Sequence, residues 1–149
     1  MTSEQPATRI PAIFFTERET LADAFLRDGR VATYLKHHTA LLDRTLITYA
    51  ESAGVPSTCA VIAVGGYGRG EMFPFSDIDV LVLLPENHTP ATDASVERFV
   101  IELWNLRLTV GSVVRTPSEM LTAAQDDISV ATAFLEARYL TGDKTLFET

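Results

Sequence analysis

The chain has 149 residues, 46% of them hydrophobic, which is enough to bury the core of a single domain. Its formal net charge of -8 argues against nucleic acid as a partner, since binding a phosphate backbone requires a basic face. The single cysteine excludes an internal disulfide, and no apolar stretch reaches the length of a signal core or a membrane span. We therefore expect a cytoplasmic protein without a membrane partner, whose partner is a protein or a small molecule.

The first 54 residues are predicted to be helical after a short leader. Residues 1–15 contain two prolines and mixed polarity, and we expect them to form a loose leader. In the helical segment 16–54, Thr16 and Glu19 have the spacing of a capping box. They predict a short helix that ends at Gly29.

A longer helix is predicted from about residue 31 to residue 52, and Gly54 is placed to stop it. His37 and His38 are adjacent, so they do not share a helix face as paired metal ligands do, and we interpret them as surface or edge histidines. The apolar stripe of this helix is formed by Leu35, Leu42, Leu46 and Tyr49.

The remaining residues, 55–149, are predicted to form the domain core, which opens with a strand and a glycine-dense turn. Residues 59–64 are apolar and partly β-branched, as expected of a buried strand. Glycines permit positive φ, and successive exposed N–H groups form a concave site for an anion such as phosphate. By itself, such a turn is also typical of a tight connection. The glycines are Gly65, Gly66, Gly68 and Gly70.

Two aspartates open the second predicted strand. Asp77 and Asp79 are two residues apart, so their side chains point to one face, while Ile78, Val80 and Val82 face the other. Paired carboxylates on a buried strand require a compensating cation, and Mg²⁺ prefers a few carboxylates together with phosphate oxygens. Beside a glycine turn they outline a site for nucleotidyl transfer, whereas Asp-x-Asp alone is typical of a solvated strand end.

Two other phosphate-binding motifs are excluded. The spacing from Gly65 to Gly70 matches a P-loop, but Glu71 and Met72 occupy the positions of its lysine and its hydroxyl residue. No three glycines have the spacing of a dinucleotide-binding fingerprint.

Further along the chain, the pattern predicts two helices around a third strand. Residues 93–106 have helical apolar spacing that places Trp104 in the core. Residues 108–115 are predicted to form the strand. Thr116 and Glu119 form a second capping box, which starts a helix that ends at about residue 125.

A last helix is predicted over residues 130–140, closed by Gly142. Asp126 and Asp127 precede it, and we interpret them as complements of the helix dipole rather than as metal ligands. Together these elements predict an α/β (α+β) fold in which helices flank a small mixed sheet, with an N-terminal helical extension.

A resemblance to a known family covers roughly the second two-thirds of the chain. The residues that carry it are Val64-Gly65-Gly66-Tyr67-Gly68-Arg69-Gly70-Glu71, Ser76-Asp77-Ile78-Asp79, Leu103-Trp104-Asn105, Val110-Gly111, Val114-Arg115-Thr116, Val130-Ala131-Thr132, Glu136-Ala137-Arg138 and Gly142-Asp143. The glycine turn followed by Asp-x-Asp resembles the DNA polymerase β-like nucleotidyltransferase superfamily. Within that superfamily, the chain is most similar to the N-terminal part of the bacterial PII uridylyltransferase/uridylyl-removing enzymes.

The resemblance implies a nucleotidyltransferase fold that moves UMP from UTP to a tyrosine of the PII nitrogen-regulatory protein. In a two-metal mechanism, Asp77 and Asp79 are the predicted catalytic residues and Mg²⁺ ligands. The predicted nucleotide-binding residues are Gly65, Gly66, Gly68, Arg69, Gly70 and Ser76.

Each nucleotide-binding residue has an expected role. The glycines offer backbone N–H groups to the triphosphate, Arg69 adds a charge-assisted phosphate contact and Ser76 adds a hydroxyl contact. Glu71 is interpreted as a structural residue that fixes the turn through backbone hydrogen bonds. Arg115 is either a phosphate contact or an ion-pair partner.

Other functions stay open at this stage. The superfamily commonly adds a third carboxylate from the neighbouring strand, but no Asp or Glu lies between Glu102 and Glu119. A module that binds nucleotide or a partner without turnover is therefore an alternative, as is transfer to a small-molecule acceptor. The resembling enzymes are several times longer, so we expect this chain to be a fragment without uridylyl-removing or sensing activity.

Overall fold

The computed structural model describes residues 6–148, which form a mixed four-stranded sheet with helices on both faces. The helices are α1 (Pro6–Asp28), α2 (Val31–Ala53), α3 (Gly65–Gly68), α4 (Pro90–Leu103), α5 (Pro117–Asp126), α6 (Ile128–Leu135) and α7 (Lys144–Glu148). The strands are β1 (Ala60–Ala63), β2 (Ile78–Leu83), β3 (Val110–Arg115) and β4 (Arg138–Gly142), and a 3-10 turn covers Trp104–Leu106. The predicted helix-flanked mixed sheet with a helical N-terminus is confirmed.

The order of the strands across the sheet is β3-β2-β1-β4. β1 pairs antiparallel with both β2 and β4, whereas β2 and β3 run parallel. The parallel pair needs a long crossover, which α4 supplies. In the parallel register Asp79 lies opposite Gly111, so the third strand brings a residue without a side chain beside the second aspartate.

The prediction of a loose leader over residues 1–15 is wrong for residues 6–15, and residues 1–5 lie outside the described residues. Residues 6–15 belong to α1 instead of a loose leader, because Ile10 and Phe14, four residues apart, are buried in the main core. Thr16 does not cap a helix: it lies inside α1, where its hydroxyl donates to the Ala12 carbonyl at 2.9 Å. The predicted end at Gly29 is confirmed, with φ of +65° at that residue.

α2 agrees with its predicted bounds, and Gly54 caps its end in the left-handed conformation. The prediction for His38 is wrong, because its side chain is completely buried. Its Nδ1 lies 2.7 Å from the Met72 carbonyl oxygen, and its ring stacks on Tyr34. Burial lowers the pKa of His38, although the bond to the Met72 carbonyl opposes that shift. His38 therefore serves as a neutral core residue.

The last predicted helix is divided into a helix and a strand. α6 covers only Ile128–Leu135, and β4 follows along the free edge of β1. Gly142 ends this strand rather than a helix: its φ is +101°, and a Cβ there would lie 1.9 Å from the Cys59 carbonyl oxygen. Pairing with β1 satisfies backbone groups that a longer helix would leave open along that edge.

Two predictions about helix starts in this region are confirmed. Thr116 and Glu119 form a capping box at the start of α5. Asp127 caps α6 by accepting the Ser129 N–H, as its interpretation as a helix-start residue requires.

Two apolar clusters pack on opposite faces of the sheet. The larger joins α1, α2 and α4 to one face and includes Ile78, Val80 and Val82 of β2. The smaller includes Leu81 and Leu83, against the last three helices of the chain. Trp104, predicted in the core, is instead 63% exposed, because the 3-10 turn after α4 rotates it away from the helix stripe.

None of the helices within residues 6–148 combines the length and the apolar character that crossing a bilayer requires.

Candidate nucleotide-binding site

The centre of the site is Asp79, whose carboxylate lies between two glycines. A Cβ at Gly65 would lie 3.1 Å from Asp79 Oδ2, and a Cβ at Gly111 would lie 2.7 Å from Oδ1. Gly65 also has φ of +61°, which disfavours other residues. The Val64 N–H donates to the Asp79 carbonyl at 3.0 Å, so the glycine turn and the aspartate are joined through the backbone as well.

Asp77 lies one residue before β2, so only Asp79 is on the strand itself. Asp77 is exposed and Asp79 is half-buried. Burial raises the pKa of the Asp79 carboxyl above its ordinary value, and the negative charge of Asp77 raises it further. The two carboxylates therefore repel each other, and a divalent cation bound between them would relieve that repulsion.

The predicted division of β2 into two faces is confirmed. Ile78, Val80 and Val82 are buried in the larger apolar cluster, opposite Asp79. Their burial fixes the rotation of the strand, because a shift by one residue would place the aspartate in the core.

The glycine turn begins as one turn of helix, α3, rather than as an irregular loop. The N–H groups of Gly68 and Arg69 donate back to Val64 and Gly65, each at 3.0 Å. The N–H groups of Gly65, Gly66 and Tyr67 make no hydrogen bond within the described residues. Three backbone donors thus stay available beside Asp79. The prediction that Gly68 and Gly70 also offer N–H groups to the triphosphate is wrong for this structure, because the Gly68 N–H donates to the Val64 carbonyl and the Gly70 N–H donates to the Tyr67 carbonyl at 3.1 Å.

The Arg69 guanidinium contacts two carboxylates. Its Nε lies 3.1 Å from Glu71, and its Nη1 lies 2.5 Å from Glu136 at the end of α6. Hydrogen bonds to these carboxylates raise the pKa of Arg69. Glu71 acts on the turn in two ways. Its N–H donates to the Gly66 carbonyl at 3.0 Å, as expected of a residue that fixes the turn through backbone hydrogen bonds, and its carboxylate also holds Arg69. The phosphate contact of Arg69 stays a prediction, which requires the guanidinium to exchange at least one of these partners.

Ser76 closes the loop that leads into β2. Its hydroxyl oxygen accepts the Phe73 N–H at 2.9 Å, and its own N–H donates to the Phe73 carbonyl at 3.1 Å. The hydroxyl hydrogen remains free to donate, so the predicted phosphate contact of Ser76 also stays a prediction.

A cleft of about 380 Å³ opens at Asp79 and Gly65. Arg115 lies in its wall, half-buried, with Nη1 3.8 Å from the Met120 sulfur. No carboxylate pairs with Arg115 among residues 6–148, which leaves a positive charge in the same cleft as Asp79. Apolar side chains form most of the remaining wall: Leu81, Val113, Val130 and Phe134.

Asp77 and Asp79 are the two carboxylates that the sequence predicts as metal ligands. No group of three or more His, Cys, Asp or Glu side chains is arranged to hold a metal ion within the described part of the chain. Gly111, opposite Asp79 on β3, has no side chain to contribute a third carboxylate. Asp77 and Asp79 could still hold Mg²⁺, because this ion usually retains waters and shares substrate phosphate oxygens.

Gly111 is the site residue whose role sequence reasoning missed. In the sequence it stands out only as part of the family resemblance, whereas in the structure its backbone lies against one side of the Asp79 carboxylate. Its pairing with Asp79 depends on strand order, which the sequence does not specify.

Comparison with known proteins agrees with this geometry. Residues 54–123 match the family model described as nucleotidyltransferase domain. This segment contains β1, the glycine turn, both aspartates and β3, so the match includes every residue of the predicted site.

The chain is also similar to proteins named bifunctional uridylyltransferase/uridylyl-removing enzyme. It is 43% identical over 137 residues to that of Burkholderia lata and 42% identical over 144 residues to that of Ralstonia nicotianae. These matches cover 92% and 97% of the chain but only 16% and 17% of the relatives' length. A third relative, from Burkholderia mallei, is 38% identical over 143 residues, again 96% of the chain and 17% of the relative. Residues 54–123 therefore belong to the nucleotidyltransferase domain family, and most of the chain is homologous to about one sixth of the length of these uridylyltransferases.

Proposed function

We propose that this domain transfers UMP from UTP to a tyrosine hydroxyl of the PII nitrogen-regulatory protein. The observation that supports nucleotidyl transfer best is the placement of Asp79 between Gly65 and Gly111, beside three N–H groups that have no partner among residues 6–148. The uridylyl group is suggested by the relatives, whose printed names describe uridylyl transfer. A PII acceptor comes from the family resemblance, and the acidic composition favours a protein over nucleic acid.

In this proposal, the residues of the site hold the two ends of the reacting phosphate chain. Asp77 and Asp79 would hold the Mg²⁺ ions of a two-metal site. These ions would neutralise charge on the phosphates and lower the pKa of the attacking hydroxyl. The N–H groups of Gly65, Gly66 and Tyr67 donate to triphosphate oxygens. The tyrosine hydroxyl releases its proton to solvent, and its oxygen forms a bond to the α-phosphorus of UTP. The bond from that phosphorus to the oxygen bridging the α- and β-phosphates breaks, and pyrophosphate leaves.

Direct assay of the product tests the proposal. The chain, UTP, Mg²⁺ and PII protein are incubated, and the mass of PII is measured. We expect one added uridylyl group per modified PII subunit, and none with Asp79→Asn or with EDTA. A PII protein whose tyrosine is replaced by phenylalanine is the acceptor control. A full-length relative is assayed in parallel as a positive control. If the relative gives product and the folded wild-type chain gives none, the proposal is contradicted.

A second candidate is a module that binds nucleotide without turnover. Two observations favour it: within residues 6–148 no third His, Cys, Asp or Glu side chain joins Asp77 and Asp79 in a metal-binding group, and the Arg69 guanidinium is engaged by Glu71 and Glu136. Calorimetry separates the two functions. Nucleotide binding that persists in the double variant Asp77→Asn/Asp79→Asn, without wild-type turnover, would support the module. A screen of hydroxyl-bearing small molecules with UTP covers the remaining alternative, a small-molecule acceptor.

A further inference from the structure

One side chain from β4 holds the carbonyl end of the glycine turn. Arg138 donates from Nη2 to the Tyr67 carbonyl at 3.0 Å and from Nε to the Gly68 carbonyl at 3.4 Å. Its guanidinium carbon also lies 5.3 Å from the centroid of the Tyr67 ring, which is completely buried. The last carbonyls of a helical turn lack partners within the turn, so Arg138 supplies what the local backbone does not.

Arg138 is itself fixed by an aspartate of the N-terminal helical segment. Its Nη1 and Nη2 lie 2.6 Å and 3.2 Å from the two carboxylate oxygens of Asp43, in α2. This two-point pairing fixes the plane of the guanidinium as well as its position. Both side chains are mostly buried, which limits the screening of the ion pair by solvent.

α2 contacts the same loop at two further points. The Thr39 hydroxyl donates to the Gly70 carbonyl at 3.0 Å, and His38 Nδ1 donates to the Met72 carbonyl at 2.7 Å. Four successive contacts, to residues 67, 68, 70 and 72, thus connect the turn and its exit to elements outside it. The backbone also approaches closely, because a Cβ at Gly68 would lie 2.1 Å from the Glu136 carbonyl oxygen.

These contacts fix one end of the turn and leave the other end available. The carbonyls of Tyr67 and Gly68 accept from Arg138, whereas the N–H groups of Gly65 and Gly66, beside Asp79, have no partner in the described part of the chain. Asp43 and Arg138 both lie outside residues 54–123, the segment that matches the family model. The matched segment therefore contains neither the side chain that donates to the carbonyls of its glycine turn nor the aspartate that pairs with that side chain.

We infer that Arg138, held by Asp43, is a positioning residue that aims the backbone donors of the turn at a bound triphosphate. The inference rests on the proposed function, because it takes the ligand of the site to be a nucleoside triphosphate. Arg138 acts through the Tyr67 and Gly68 carbonyls and touches no reacting atom. Misplacing donors by about 1 Å costs on the order of tenfold to a hundredfold in comparable sites.

The test compares substitutions at Arg138 and Asp43 with a matched control. The variants are Arg138→Gln, Arg138→Lys and Asp43→Asn. The control is Arg44→Gln, which removes the exposed ion pair to Glu17 from the neighbouring position of α2. For each protein, the Kd for Mg-UTP is measured by calorimetry, and the Kd for Mn²⁺ without nucleotide is measured by electron paramagnetic resonance.

We expect Arg138→Gln to weaken Mg-UTP binding by at least about tenfold, with Mn²⁺ binding and the control within twofold of wild type. Arg138→Lys keeps the charge but not the fork of donors, so it should rescue only part of the affinity. A merely structural role would weaken both ligands together, and that result, or unchanged Mg-UTP binding, would overturn the inference. If Arg138→Gln fails to fold, Asp43→Asn, of nearly equal volume, decides by the same criterion.

A second measurement does not depend on nucleotide. In ¹H–¹⁵N spectra of the free protein, the Gly65, Gly66 and Gly68 signals should shift in Arg138→Gln, while that of Gly29 should not. Unmoved turn signals would overturn the positioning role. If the wild-type chain binds no nucleotide, the proposed function fails, and these spectra still decide whether Arg138 orders the turn.

Discussion

The two faces of β2 differ in what covers them, and the difference separates stability from chemistry. On one face, Ile78, Val80 and Val82 are buried within the larger apolar cluster, which also includes residues of α1, α2 and α4. On the other face, Asp79 lies in an open cleft beside Gly65. The apolar residues further along that face, Leu81 and Leu83, are buried in the smaller apolar cluster. One six-residue strand thus fixes a charged group by burying its opposite side. The following predictions test whether the two faces can be disturbed separately.

The largest expected effect is the loss of activity in Asp79→Asn. The amide keeps the shape of the carboxylate but not its charge, so a divalent cation loses a ligand. We expect nucleotidyl transfer to fall by about a thousandfold or more, equivalent to about 4 kcal/mol. Steady-state assay checks this, and circular dichroism should show an unchanged fold. Residual activity above a tenth of wild type would contradict the assignment.

On the opposite face, Ile78→Ala should act on stability instead. It leaves a cavity in a completely buried position, and such substitutions cost about 2–5 kcal/mol of unfolding free energy. Urea denaturation measures that loss. At a temperature where the variant is still folded, its nucleotide affinity should stay near that of wild type. A large loss of affinity in the folded variant would show that the two faces are coupled.

Gly111→Ala should affect the site more than the fold. The new methyl group would lie 2.7 Å from Asp79 Oδ1 and must displace the carboxylate. We expect activity to fall by about tenfold to a hundredfold. The melting temperature should change little, because Gly111 is exposed and β3 lies at the edge of the sheet. Val114→Ala, on the same strand but outside the cleft, is the control. Equal effects of the two substitutions would argue against the role of Gly111.

The smallest effect concerns pH. Because burial and Asp77 raise the pKa of Asp79 in the folded state, its ionisation destabilises the metal-free protein. The penalty is absent below the ordinary value of 3.8, grows as the pH rises through the raised pKa, and is complete above it. Asp79→Asn should therefore melt slightly higher than wild type at neutral pH, and the difference should vanish towards pH 3 to 4. Asp23→Asn, at an exposed position of α1, should show no such trend, and a difference that increases in acid would contradict the account.

Local sequence patterns predicted the parts of the fold that depend on local chemistry. The capping box at Thr116, the stop at Gly54 and the two faces of β2 follow from neighbouring residues alone, and the structure confirms each. The Gly-Gly turn and Asp79 were also recognisable, because glycine spacing and Asp-x-Asp are both contained within 15 residues.

Long-range pairing accounts for what the sequence did not predict. The apolar spacing of Val130, Phe134 and Ala137 predicts a helix that continues to residue 140, but residues 138–142 instead pair with the free edge of β1 as a strand. The roles of Gly111 and Arg138 depend likewise on partners 32 to 95 positions away, at Asp79 and Asp43. Trp104 has core spacing along α4 but follows the helix into a 3-10 turn, which exposes it. Such outcomes depend on strand order and helix ends, which local patterns do not encode.

The most direct test of the central claim is the paramagnetic effect of Mn²⁺ on backbone amide signals of the wild-type chain. If Asp77 and Asp79 hold the cation beside the glycine turn, substoichiometric Mn²⁺ should broaden the signals of Gly65 and Gly111 and leave that of Gly29 sharp. The broadening should disappear in Asp79→Asn. Signals of Gly65 and Gly111 that broaden no more than that of Gly29 would contradict the claim that the aspartates and the turn form one metal-binding site.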